Sequence, residues 1–198
     1  MTVRTSDPPV SHTLDDGTTI AMRTIEPDDA PALQRFHSRL SEHSIYLRFF
    51  GFVPELSDQR ARYFTQLDNL HRLAVIALDP DDEDEIIAVA RLDREPGTDS
   101  GEYAAIVEDR WQGRGIGFVV TRQLLDLAVE RGFRRVYAMV LPQNDRMLAL
   151  LRNLGFPTRT QSVSGVARVD LDLSRKDEGA ARQQEHVVAM LRQRREAA

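Results

Sequence analysis

The chain has 198 residues, 41% of them hydrophobic, which suits one domain around one core, and a formal charge of −5 that argues against a nucleic-acid partner. It has no cysteine, so disulfides, thiolate metal sites and a cysteine nucleophile are excluded, and no metal is expected. No apolar run approaches a membrane span and the first residues, MTVRTSDPPVSH, lack the layout of a signal peptide, so a cytoplasmic protein without membrane contact is expected.

Residues 1–17 are polar and proline-containing and are expected to be a flexible leader. Asp15-Asp16-Gly17 reads as a turn into a strand from Thr18 to Thr24. Glu26-Pro27-Asp28-Asp29 places proline and acids where a helix begins, with Leu33, Phe36 and Leu40 on one face. A second helix is expected from Ser41 to about Gly51, with Phe49, Phe50 and Phe52 mostly in the core. A third is expected within Pro54–Asn69, capped by Ser57 or Asp58. Leu73–Leu78 and Ile86–Asp93 read as strands joined by an acidic turn, Asp79 to Glu85. That turn lacks the spacing and central glycine of a calcium loop.

Tyr103–Val107 is a further apolar strand. It leads through Glu108-Asp109-Arg110 into Gln112-Gly113-Arg114-Gly115-Ile116-Gly117, and then into apolar residues at helical spacing, Ile116, Val119, Val120, Leu124 and Leu127. Strand, glycine loop, helix is an arrangement that offers free main-chain N–H groups at a helix N-terminus, which suits a diphosphate. Arg131-Gly132 stops that helix. Arg135–Val140 is the next strand, and Pro142 ends its pairing. Asn144 caps a helix to Leu154, Gly155 ends it, and Pro157–Val163 with Val166–Leu173 form a terminal hairpin. Residues 174–198 are charged with a thin apolar stripe and read as a solvated helix, with a tail or dimer contact as alternatives.

Three ligand families share such a glycine turn. A dinucleotide site wants an acid closing the next strand, and Arg135–Val140 has none. A P-loop wants Lys-Ser/Thr after its last glycine, and Phe118-Val119 stands there. The third is coenzyme A. Gln-Gly-Arg-Gly-Ile-Gly after a strand ending at Val107, followed by Asn144 and Leu154-Gly155-Phe156, resembles the acetyl-CoA signature of GNAT-type N-acetyltransferases. The resemblance spans roughly residues 18–173. It implies an α/β (α+β) GNAT fold: a mixed, mostly antiparallel twisted sheet of about seven strands flanked by helices, splayed between the fourth and fifth strands.

The resemblance also implies roles. The main chain of Ala105, Ile106 and Val107 would pair the pantetheine arm, with an N–H near Ile106 or Val107 polarising the thioester carbonyl. Gln112, Gly113, Arg114, Gly115, Ile116, Gly117 and Phe118 would hold the phosphates, and Asn144 would add a contact. Glu102 matches the position of the general base in bacterial protein lysine acetyltransferases, and SEHSIYLRFF resembles the acceptor-side helices of those that act on acyl-CoA synthetases. Glu108 and Asp109 are poorer candidates because they lie beyond the carbonyl. Many GNAT enzymes carry a thiolate-protonating tyrosine seven residues after the asparagine, and Leu151 stands there. The implied reaction is acetyl transfer from acetyl-CoA to a protein lysine Nε, by a monomer or homodimer. A small-amine acceptor and a non-catalytic acyl-CoA sensor are the alternatives.

Overall fold

The structure, a computed structural model, describes residues 8–175. Eight strands form one sheet in the order β1-β2-β3-β4-β5-β6-β8-β7. They are β1 (Val10–Thr13), β2 (Thr19–Thr24), β3 (Arg72–Asp79), β4 (Asp82–Arg94), β5 (Ser100–Val107), β6 (Arg135–Val140), β7 (Thr158–Val163) and β8 (Val166–Asp172). Among the described residues five α-helices flank it: α1 (Ala30–Ser38), α2 (Glu42–Phe49), α3 (Asp58–Thr65), α4 (Ile116–Glu130) and α5 (Asp145–Arg152). The C-terminal segment expected to be a solvated helix lies, beyond residue 175, outside the described residues.

Alternation along the strands divides the apolar residues between the two faces. On one face Tyr103 and Ala105 of β5 pack with Ile116, Val120, Leu124 and Ala128 of α4 and Leu151 of α5. On the other, Ile76, Val89 and Ile106 pack with Leu33 and Phe36 of α1, Ile45 of α2 and Ala61 of α3. Helix α4 repeats buried residues at one-turn spacing, which turns a continuous stripe onto the sheet. It stops at Gly132, whose φ of 81° is left-handed. Phe133 N–H then bonds Ala128 O at 2.9 Å and Gly132 N–H bonds Val129 O at 3.0 Å, satisfying carbonyls the helix end would otherwise leave open. Phe133 is fully buried and anchors that stop.

Every neighbouring pair of strands is antiparallel except β5 and β6. Those two run parallel, joined through α4, and pair only at Ser100–Arg135, Gly101–Val136 and Glu102–Tyr137. Beyond Glu102 they diverge, while β5 stays paired with β4 as far as Val107–Ala88. The expected splay between the fourth and fifth of seven strands is this one; an additional first strand shifts the count.

Three expectations are corrected. Residues 10–13, expected in a flexible leader, form β1 and pair with β2 from Val10–Met22 to Thr13–Thr19. Its side chains are mostly exposed, so its order comes from main-chain pairing and the buried Leu14 beside it. The acidic stretch is mostly strand: β3 and β4 close at Asp79–Asp82, and Asp82 to Glu85 belong to β4. Of the three phenylalanines only Phe49 turns inward. Helix α2 ends at Phe50 in a left-handed conformation (φ 57°), which sends Phe50 and Phe52 to the surface.

Candidate functional site

The glycine loop sits at the mouth of the gap between β5 and β6. Gly113 and Gly115 have φ of 78° and 87°, a region that side-chain-bearing residues rarely adopt. A Cβ on either would point into open space, so backbone conformation, not crowding, selects glycine there. Gly117 differs: a Cβ would stand 3.3 Å from Leu150 Cδ1 and 3.5 Å from Val107 Cγ2, so it lets α4 approach α5 and β5. Among the described residues, the N–H groups of Gly113 through Gly117 donate to no protein acceptor. Five open donors at the positive end of a 15-residue helix fit a diphosphate, and this cradle fits coenzyme A.

The other loop side chains hold the protein together. Gln112 donates from Nε2 to Val107 O (3.0 Å) and Ser44 Oγ (3.1 Å), and its Oε1 accepts from Arg146 Nη1 at 2.6 Å. It therefore ties β5, α2 and α5 at the loop. Arg114 reaches back to Asp16 Oδ2 (2.5 Å) and Thr18 Oγ1 (2.9 Å), and its guanidinium lies 4.4 Å from the Trp111 ring centroid. Main-chain hydrogen bonding to Thr18, then Arg114, hold the exposed Asp16 carboxyl down to about 2. Ile116 is buried in the core, and Phe118 packs against it. Asn144 caps α5, accepting from Met147 N–H at 3.1 Å.

On β5, Glu108 N–H bonds Ile87 O of β4 at 2.9 Å. Peptide groups alternate edges along a strand, so Ala105 and Val107 aim theirs at the gap while Ile106 aims at β4. Glu102 is exposed at the vertex of the splay, with Asp93 beside it on β4 and Tyr137 on β6. Burial, a hydrogen bond to Glu95 and the Glu102 charge push the Tyr137 hydroxyl up to about 12, so it stays protonated near neutral pH. Leu151 is fully buried in the core.

Glu108 and Asp109 are committed elsewhere. The Glu108 carboxylate is buried between Arg39 Nε (2.9 Å) and Arg110 Nε (2.5 Å). Asp109 accepts from Ser41 N–H (2.9 Å), Ser41 Oγ (2.6 Å) and Ser44 Oγ (2.8 Å), pinning the start of α2 to the loop. Burial pushes the Asp109 carboxyl up, and those hydrogen bonds outweigh it and leave it lowered. Sequence reasoning missed this clamp, although Ser41 three residues before Ser44 is a visible cap.

Comparison with known proteins accords with this geometry. The family model described as acetyltransferase (GNAT) matches residues 40–156. An acetyltransferase of Pseudomonas aeruginosa is 30% identical over 144 residues, 72% of this chain and 77% of its own length. The GNAT domain of S. lividans PAT is 33% identical with a TM-score of 0.76, covering 83% of this chain and 96% of that one. A cAMP-binding acyltransferase from Mycobacterium smegmatis shares the fold, with a TM-score of 0.59 at 24% identity over 86% of this chain and 48% of that one.

Proposed function

The chain belongs to the acetyltransferase (GNAT) family, and from that premise we propose that it transfers acetyl from acetyl-CoA to the Nε of a protein lysine, with Glu102 as general base. The observation that carries this reading is the vertex: pairing between β5 and β6 stops at Glu102, leaving a carboxylate where the gap begins. The loop N–H groups from Gly113 to Gly117, with an Asn144 contact, would hold the diphosphate end of the donor. The gap-facing peptide groups of Ala105 and Val107 would hold its pantetheine arm. A protein acceptor is favoured by the likeness to the GNAT domain of S. lividans PAT, and the resemblance of SEHSIYLRFF to acceptor-side helices points to an acyl-CoA synthetase as that acceptor.

A lysine ammonium, near pKa 10.4, is almost wholly protonated at pH 7 and cannot attack. The Glu102 carboxylate takes one proton, the nitrogen lone pair attacks the thioester carbon, a C–N bond forms as the C–S bond breaks, and the second proton shed by the amide nitrogen passes to water. Sulfur leaves as thiolate. With a buried leucine at position 151, its proton comes from water or from Glu102. The test is Glu102→Gln, which keeps volume and polarity. Transfer should slow by about 10² to 10⁴ at pH 7, with acetyl-CoA affinity scarcely moved, and the defect should shrink toward pH 9.5 as the amine arrives neutral. Normal turnover at pH 7, or an equal defect at pH 9.5, overturns the assignment.

A further inference from the structure

Beneath the face of β5 that carries Glu102, α1, α2 and α3 wall a pocket with ≈ 430 Å³ of empty space, counting the part open to solvent. Its lining is apolar, with Phe36, Phe49, Phe64 and Ile106 among the walls, but three basic side chains enter it: His37, Arg48 and Arg91. Arg91 is 6% exposed and His37 4%, and among the described residues Arg91 Nη2 and His37 Nε2 have no hydrogen-bond partner. The nearest carboxylate oxygen to Arg91 is Asp93 Oδ2, at a marginal 3.5 Å. Arg48 makes no hydrogen bond or ion pair among the described residues, and its guanidinium lies 4.9 Å from the Phe49 ring centroid. Burial and the Arg91 charge push Arg48 down to about 10, while Glu102 and Asp93 act on it only through longer-range attraction.

Two guanidiniums, Arg91 buried and Arg48 half-buried, facing one pocket whose lining holds no carboxylate are costly, because a buried charge needs a partner. Each presents a planar fork of donors that matches a carboxylate. Ala104 and Ile106, which line the pocket, lie two and four residues along β5 from Glu102, about 7 and about 13 Å at strand rise. The pocket therefore adjoins the proposed point of transfer.

We propose that Arg48 and Arg91, assisted by His37, form a carboxylate-binding subsite for a reacting molecule that carries an anionic end on a short apolar stem. This deepens the acyl-transfer reading and rests on it. Two sources present that chemistry: the distal carboxylate of a dicarboxylic acyl thioester, or the carboxylate of an amino-acid acceptor whose amine reaches Glu102. In either case the bonds made and broken are those of amide formation, and the carboxylate is held and not consumed.

Calorimetry on the full chain decides between them. One arm compares succinyl-CoA with acetyl-CoA; the other compares phenylalanine with phenethylamine, without coenzyme A. A preference of about tenfold or more for the carboxylate ligand in one arm, collapsing toward one in Arg48→Met and Arg91→Met, supports the subsite and names its source. Equal affinities in both arms, or a preference that survives both substitutions, overturns it. Should Arg91→Met fail to fold, Arg48→Met and Arg48→Gln carry the comparison. If acetyl-CoA itself does not bind, the acyl-transfer reading falls, and the amino-acid arm still decides the subsite.

Discussion

Two groups of arginines in the same half of the molecule are treated in opposite ways. Around the loop before α4, Arg39 bonds Glu85 (2.5 Å), Glu108 (2.9 Å) and Ile86 O (2.8 Å), and Arg110 bonds Glu108 (2.5 Å) and Asp79 (2.7 Å). Arg35 joins through Glu85. Each guanidinium there has carboxylates on it, and the lattice fastens α1 to β4 and to the turn after β5. Arg48 has only an aromatic face and distant charge, and Arg91, 4.4 Å from the Phe64 ring centroid, adds one marginal contact to Asp93 at 3.5 Å. The first group fixes architecture, and the second stands ready for something that arrives from outside. Charge satisfaction, more than charge itself, separates scaffold from site.

That comparison can be broken first at the lattice. Glu108 is 3% exposed and serves two arginines, so Glu108→Ala takes a buried carboxylate from each, leaving Arg39 with Glu85 and Arg110 with Asp79. Removing one partner of a buried pair typically costs about 3–5 kcal/mol when the other is left uncompensated; since both arginines keep a second carboxylate and Arg110 is itself exposed, about 2 kcal/mol is expected, read as a lower urea midpoint at unchanged slope. Arg48→Met should act with the opposite sign. Replacing an unpaired guanidinium with an apolar chain of similar length should raise stability, by about 1 kcal/mol, in a thermal melt without ligand. A loss as large as that of Glu108→Ala would mean that Arg48 belongs to the scaffold.

The smallest effect concerns pH. Burial and then the Arg60 charge lower the His37 pKa below its usual 6.5. The unfolded chain therefore takes up a proton near pH 6.5 that the folded chain refuses until lower pH. Stability should fall as pH drops from 6.5 toward the folded value, and level off below it. His37→Leu should flatten that part of the curve, and a bound carboxylate, favouring the imidazolium, should shift it to higher pH.

Much of this was visible in the chain. The strand, glycine loop and helix from Tyr103 to Leu127 announce themselves because period, glycine and length all agree, and Gly132 marks the helix stop. What hid was whatever depends on distant partners. β1 shows outward side chains and is held by main-chain pairing, so its composition reads as a loop. Asp82 to Glu85 read as a turn because nothing nearby answers them; Arg35 and Arg39, which hold Glu85, lie 50 and 46 residues away. Arg114 was expected at the phosphates and is tied to Asp16, 98 residues back. Arg48 and Arg91 look like any other arginines until the fold places both in one pocket with no acid between them.

The divergence of β5 from β6 has a consequence for how long the protein lasts. Among the described residues the strand ladder between β1–β5 and β6–β8 has only three residue pairs, and the edge of β5 beyond Glu102 lacks a neighbouring strand on that side. A donor arm laid there, as proposed, would sew the two half-sheets together and bind only the folded chain. At a hundred times its dissociation constant, such a ligand adds about 2.7 kcal/mol. Resistance to proteolysis would then rise and fall with the supply of acyl donor, so that the abundance of the enzyme itself would follow the abundance of what it consumes.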